Sequence, residues 1–169
     1  MSGRKGVTPT NEKERFAALV REHARSMFRA ARVLLRSDAE AEDAVGEAVL
    51  KAWEAFDTLK NPDAARGWLI TIAVNCAKAQ RRRQGRVVYL EDMEQEPEAP
   101  SAEPPIDLWE AVLRLPEEQR LVILLYYYED MPVEETARML DIPQGTVKSR
   151  LSRGRDRLRH LLKEDFYET

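Results

Sequence analysis

Apolar residues recur at helical spacing on both sides of residues 91–107, and no run of alternating β-branched residues interrupts them. Residues 12–35 read as a first helix, with Phe16, Leu19, Val20, Met27, Ala31 and Leu34 toward a core. Ser37 with Glu40 three positions on has the capping-box form and opens a second helix that runs to about Phe56. Its core face is Ala41, Val45, Ala48, Val49, Ala52 and Phe56. Glu40, Asp43, Glu47 and Glu54 lie opposite, and Gly46, Leu50 and Trp53 border the acids. A third helix opens with Asn61 as cap and Pro62 at its first position, and extends to the arginines at 81–83. Further helices are predicted at about 106–114, 117–129, 132–140 and 144–162. The break from Asp141 to Gln144, with Pro143 in it, has helix-turn-helix spacing.

The third helix is apolar on nearly every side, yet Thr71, Asn75, Lys78 and Arg82 fall at i, i+4, i+7 and i+11 and form one narrow polar stripe. Trp68 lies beside it, Lys60 and Asn61 precede it, and Arg81, Arg82 and Arg83 follow. Unpaired bases need this mixture: polar groups for base edges, an aromatic or apolar wall for stacking, and cations for the backbone. A stripe satisfied internally, with Lys78 snorkelling to water, is the alternative.

The final helix carries a second pattern. Val147, Leu151, Gly154, Leu158 and Leu161 form an apolar seam; Ser149, Ser152 and Arg153 lie opposite; Lys148, Arg150, Arg155 and Arg157 flank. A major groove admits one helix, its phosphates attract Lys and Arg, and short polar side chains at the front can reach base edges. A solvated basic helix is the alternative, and the short helix and tight turn before it favour DNA. On the second helix, an apolar edge beside acids suggests a docking surface for a basic partner, against the alternative of an ordinary solvated face.

Charge changes the picture once its distribution is considered. The net charge is −3, but residues 91–107 hold seven acids and no Lys or Arg, and removing those seven negative charges leaves +4 on the rest. The same stretch contains Pro97, Pro100, Pro104 and Pro105 and has no periodicity, which predicts a linker. The expected organisation is a disordered tail at 1–11, a helical domain at 12–86, a flexible acidic linker at 87–105 and a second helical domain at 106–164. Cys76 is the single cysteine, so no internal disulfide is possible, and with only His23 and His160 no Cys/His metal set is expected. Carboxylates and histidines show no paired spacing for acid–base chemistry, so neither an enzyme nor a cofactor is expected. No run of about 18 apolar residues and no signal-peptide core are present, which predicts a cytoplasmic protein without membrane insertion.

The stretches DAEAEDAVGEAVLKAW, NPDAARGWLITIAVNCAKAQRRR and LPEEQRLVILLYYYEDMPVEETARMLDIPQGTVKSRLSRGRDRLR occur in an order that resembles the extracytoplasmic-function (ECF) group of bacterial RNA polymerase sigma factors in the sigma-70 family. The resemblance implies an all-α chain in which sigma domain 2 and sigma domain 4 are joined by the acidic linker. It implies a transcription initiation factor that binds core polymerase, melts the minus-10 element and reads the minus-35 element. Asp43, Gly46, Glu47, Leu50 and Trp53 would meet the clamp helices of the largest subunit. Leu59, Lys60, Asn61, Trp68, Thr71, Asn75, Lys78, Arg81 and Arg82 would hold single-stranded minus-10 DNA. Thr146, Lys148, Ser149, Arg150, Ser152, Arg153 and Arg157 would contact duplex minus-35 DNA. The tract LPEEQRLVILLYYY would pack the last domain and meet the flap of the second-largest subunit, and an anti-sigma protein is an expected partner. The linker acids would mimic nucleic acid in the polymerase cleft, or serve as a solubilising tether.

Two positions depart from the family pattern. Gly46 stands where Gln is common, removing a side chain from the clamp face, and Gly154 stands where Ala is usual, which suggests looser packing of the last helix. Two other functions remain open: a sigma-like decoy that titrates an anti-sigma protein, and a conventional helix-turn-helix regulator of duplex DNA.

Overall fold

The structure, a computed structural model, describes residues 9–88 and 107–167, with side chains for 10–85 and 107–163. The predicted linker from residue 89 on and the first eight residues of the predicted tail lie outside the described residues. Among the described residues the chain is all-α, with no strand. It divides into two compact units, Met1–Ala79 and Gln80–Thr169.

In the first unit α1 spans Pro9–Arg32, starting three residues before and ending three before the predicted limits. Proline at the first position explains the early start, because it has no N–H to leave unsatisfied. Arg32 ends the helix: its Nε donates to Asp38 at 3.0 Å and its Nη1 to the Leu35 carbonyl at 2.8 Å, pinning the turn into α2. Helix α2 spans Asp38–Glu54, capped by the Ser37 hydroxyl, which accepts from the Glu40 N–H at 3.2 Å. The return arm of the predicted capping box reaches one residue further back, to the Arg36 N–H at 3.0 Å.

Ala41, Ala44, Ala48 and Ala52 are all buried on one side of α2. This seam of small side chains lets α2 lie close along α1, since interaxial distance follows the size of the residues between helices. After a 3₁₀ turn at Phe56–Thr58 and a second at Pro62–Ala64, α3 spans Ala65–Val88, its residues from Gln80 on counting with the second unit. Asn61 caps as predicted, its side chain accepting from the Asp63 N–H at 3.0 Å, but the turn it opens is 3₁₀ rather than α. Helix α3 also continues through the first two residues assigned to the linker. Phe16, Met27, Ala48, Ala52, Leu69, Ala73 and Cys76 form the core of this unit.

In the second unit α4 spans Leu108–Leu113, shorter than predicted, with Asp107 accepting from the Glu110 N–H at 2.8 Å. Helix α5, Glu117–Ile123, does not continue as an α-helix to residue 129: Leu124–Tyr128 form a π-helical turn, with the Glu129 N–H bonded to the Leu124 carbonyl at 3.2 Å. Five consecutive residues, Leu121 to Leu125, are buried, more than one face of a regular helix can supply, so this segment is surrounded by its neighbours. Asp130, with φ of 50°, closes the wide turn in the left-handed region.

Helices α6, Val133–Leu140, and α7, Gln144–Tyr167, form the helix-turn-helix. Asp141, with φ of 54°, ends α6 in the left-handed conformation that usually calls for glycine and that Asp tolerates. The Ile142 N–H returns to the Ala137 carbonyl at 3.1 Å, and Ile142 packs on the core, which completes a Schellman-type stop. Val112, Leu115, Val122, Ile123, Ala137, Val147 and Leu151 form the core here.

Gly154 corrects an expectation. A Cβ built on it would lie 2.9 Å from Cγ1 and 3.1 Å from Cδ1 of Ile123, so α7 approaches α5 more closely there than a side chain permits. The packing is tighter at this position, not looser.

Candidate nucleic-acid and protein interfaces

Burial of α3 explains its unusual composition. Leu69, Ile70, Ala73, Val74, Cys76, Ala77 and Gln80 are buried, which leaves a single line through Trp68, Thr71, Ile72, Asn75, Lys78 and Arg82 facing outward. Between Ala65 and Arg81 Asn75 alone is exposed, and the other residues are buried or half-buried. Its amide offers both donors and an acceptor, as a base edge requires. Thr71 is more constrained, because its hydroxyl donates to the Gly67 carbonyl at 2.7 Å. Trp68 is half-buried and packs against the first core, so it forms a fixed apolar wall beside the stripe. Leu59 is half-buried, and Lys60 and Asn61 are exposed between the two 3₁₀ turns. Arg82 is exposed, whereas Arg81, the second residue of the second unit, is ion-paired with Glu117 of that unit.

On α2 the exposed side brings Asp43, Gly46, Leu50 and Trp53 together, with Glu47 half-buried beside them. Leu50 is 67% exposed. Trp53 is held by aromatic neighbours, its ring tilted against Phe16 at a centroid distance of 5.1 Å and stacked on Phe56 at 6.2 Å. Phe16 therefore supports this face from α1, a contribution that periodicity assigns only to the core. Glu47 pairs with Lys51 at 3.3 Å, one helical turn away, an exposed bond that another cation can replace at little cost. Nothing lies within 4 Å of a Cβ added at Gly46, so this position is open on the exposed face.

Helix α7 buries Val147, Leu151 and Gly154 and exposes Lys148, Ser149, Ser152, Arg153 and Arg157. Thr146 is half-buried at its start. Ser149 and Arg153 form a local unit: the Ser149 hydroxyl donates to the Thr146 carbonyl at 3.0 Å, and Arg153 Nε donates to the Ser149 carbonyl at 3.3 Å. Arg150 differs from the others. Only 21% of its side chain is exposed, and it is drawn to Glu118 on α5 at 3.6 Å. Tyr126 and Tyr127, in the tract expected to pack the domain and meet the flap, are 37% and 48% exposed within the π turn. The run of five apolar residues before them fits a buried helix and carries no signal of the π turn.

Sigma-70 region 2 matches residues 19–87, and sigma-70 region 4 matches residues 106–158. The ECF RNA polymerase sigma factor SigM of Mycobacterium tuberculosis is 35% identical over 150 residues, covering 87% of this chain and 76% of that protein. The chain is an ECF sigma factor of the sigma-70 family. RNA polymerase sigma factor SigV of Bacillus subtilis is 30% identical, over 86% of this chain and 90% of that protein. The sigma factor RpoE of Bartonella quintana, solved in complex with the anti-sigma factor NepR, superposes with a TM-score of 0.73 at 29% identity, covering 89% of this chain and 98% of that one. The stripe on α3 thus belongs to region 2 of a sigma factor, and the helix-turn-helix to region 4. No helix among the described residues is long and apolar enough to cross a membrane.

Proposed function

We propose that this sigma factor directs RNA polymerase to promoters through three surfaces, each built from residues its own sequence places on one face. The exposed line of α3, with Leu59, Lys60 and Asn61 before it, holds unpaired bases of the minus-10 element, Asn75 and Lys78 facing the base and Trp68 walling the pocket. Arg81 and Arg82 follow the phosphates, with Arg81 exchanging Glu117 for DNA. The first turns of α7 enter the major groove at minus-35, where Ser149, Ser152 and Arg153 face base edges and Lys148, Arg150 and Arg157 meet phosphates. The Leu50–Trp53 edge of α2, with Asp43, Gly46 and Glu47, docks on the clamp helices of the largest polymerase subunit. The second unit meets the flap of the second-largest subunit.

Exposure of Asn75 on a helix that is otherwise buried or half-buried from Ala65 to Arg81 carries this reading. A helix that served only as a core element would gain stability from an apolar or small residue there. The same chain also presents a major-groove helix, and the pairing of a single-strand surface with a duplex surface suits promoter opening. Phosphodiester chemistry belongs to the polymerase in this scheme, and the sigma factor contributes binding energy for exposed bases. An anti-sigma protein is a further partner, supported by a structural neighbour, the sigma factor RpoE, which was solved in complex with the anti-sigma factor NepR.

The decisive experiment adds the purified chain to core RNA polymerase free of other sigma factors and maps transcript starts on genomic DNA. Discrete starts that disappear with Asn75→Ala and with Arg153→Ala support the reading. Core binding without starts favours a decoy, and duplex binding without core binding favours a conventional regulator.

A further inference from the structure

The cations of α7 fall on two ridges that flank its front, and their partners distinguish them. Thr146, Arg150, Arg153 and Arg157 form one ridge at i, i+4, i+7 and i+11, and Lys148, Ser152, Arg155 and Arg159 form the other at the same spacing. Arg150 and Arg159 are paired with carboxylates, Glu118 at 3.6 Å and Asp156 at 2.9 Å, which offset their charge locally. Arg155 has a neutral partner on a distant segment: its Nη1 donates to the hydroxyl oxygen of Tyr127, 28 residues earlier, at 3.1 Å. The full positive charge therefore remains, on a side chain held at a fixed place.

The chemistry of this pair is directional. A phenol oxygen that accepts from a guanidinium retains its own O–H as a donor, and the guanidinium has four further N–H groups. Two donors from different elements thus stand side by side on one flank of α7, with no carboxylate among the partners described for either. Tyr127 stands on the π turn, its ring packed against Tyr126 at a centroid distance of 4.9 Å, and it is about half-exposed. A π turn carries one residue more than an α turn and so re-aims the side chains beyond it, a device common at functional sites.

We infer that Tyr127 and Arg155 form a two-point site for one DNA phosphate beside the groove that α7 enters, Tyr127 acting as positioning residue for Arg155 and as second donor. The inference rests on the proposed groove reading, and it extends the DNA footprint from α7 to the segment two elements before it. A helix-turn-helix module fixes its register by backbone contacts from elements outside the recognition helix as well as from it, and Tyr127 supplies such a contact beside Arg155.

The test uses the full chain and a duplex fragment spanning the minus-35 element of a mapped start, with binding followed by anisotropy across a salt series. Arg155→Ala makes the slope of log K against log salt shallower by about one. Tyr127→Phe weakens binding by about three- to tenfold in the native background. In the Arg155→Ala background the same substitution has a smaller effect, because the group it positions is gone and only the hydroxyl's own bond to the phosphate is lost. Unchanged melting curves for Tyr127→Phe separate this coupling from a structural loss. An unchanged slope for Arg155→Ala overturns the inference, as does a Tyr127→Phe effect that is absent or equal in both backgrounds. Arg153→Ala tests the underlying reading separately: if it leaves the preference for this fragment over a scrambled duplex intact, the groove assignment itself fails.

Discussion

Replacing Gly154 with alanine tests the close approach of α7 to α5 against ordinary helix propensity, and Gly46 in α2 supplies the control. In a helix interior Gly→Ala gains about 1 kcal/mol when the methyl meets open space. Nothing lies within 4 Å of a Cβ at Gly46, so Gly46→Ala should stabilise the first domain by about that amount. At Gly154 the new methyl would sit 2.9 Å from Cγ1 and 3.1 Å from Cδ1 of Ile123, a side chain only 1% exposed with buried neighbours on both sides in sequence. Forcing an extra carbon into a filled core costs about 1–3 kcal/mol, so the gain in propensity is offset and the net change is a loss of about 1 kcal/mol. The two alanines should therefore differ by about 2 kcal/mol in opposite directions.

Two domains do not unfold as one cooperative unit, so the assay must read them separately. Hydrogen-exchange mass spectrometry across a urea series does this, with peptides around Ala44–Ala52 reporting the first domain and those around Leu121–Leu125 the second. Ile123→Val supplies the coupling test. Alone it should cost about 1 kcal/mol, and less in the Gly154→Ala background, because Cδ1 is one of the two atoms the new methyl strikes. If Gly154→Ala stabilises the second domain as much as Gly46→Ala stabilises the first, or if the Ile123 and Gly154 changes add without coupling, the argument for close approach is wrong.

Ser37→Ala removes the side chain that accepts from Glu40 N–H and should cost the first domain about 1 kcal/mol, measured by the same exchange experiment; a neutral result would mean water caps α2 equally well. Leu50→Asp should leave stability within about 0.5 kcal/mol, because the side chain is 67% exposed, while weakening affinity for core polymerase at least about tenfold in a titration. An unchanged affinity would remove α2 from the proposed clamp surface. Asn75→Ala and Arg153→Ala should separate two steps: the first preserves binding to closed minus-35 duplex and loses permanganate reactivity of melted bases, and the second loses about 1–3 kcal/mol of sequence preference on the duplex.

What was legible in the sequence was local. Ser37 and Glu40 announce the start of α2 within four residues, Asn61 and Pro62 announce the turn before α3, and the spacing of Val147, Leu151 and Gly154 gives the buried side of α7. The α3 stripe was legible for the same reason: a polar line on an apolar helix is a statement about one helix alone. The ends of elements were less so, because Arg32 stops α1 through Asp38, a partner on the next helix.

The features that escaped all depend on a second segment distant in sequence. Gly154 read as a missing methyl, hence as slack, because its neighbours along α7 do not include Ile123, thirty-one residues earlier, which fills the space. The π turn escaped because LVILL fits a buried helix and does not say that the helix must widen to turn three tyrosines to different surroundings. These two unread features lie on consecutive segments of the same helix: Ile123 ends α5 where Gly154 lets α7 come close, and the wide turn begins at the next residue. Close approach at Gly154 brings α7 against α5, and the wide turn then presents Tyr127 to Arg155 one residue further along α7. A methyl at Gly154 should on this account disturb the Tyr127–Arg155 bond as well as the core. The salt slope of duplex binding in Gly154→Ala, compared with that in Arg155→Ala, reads that connection directly: a slope fully native at Gly154→Ala would show that the packing and the phosphate site are independent.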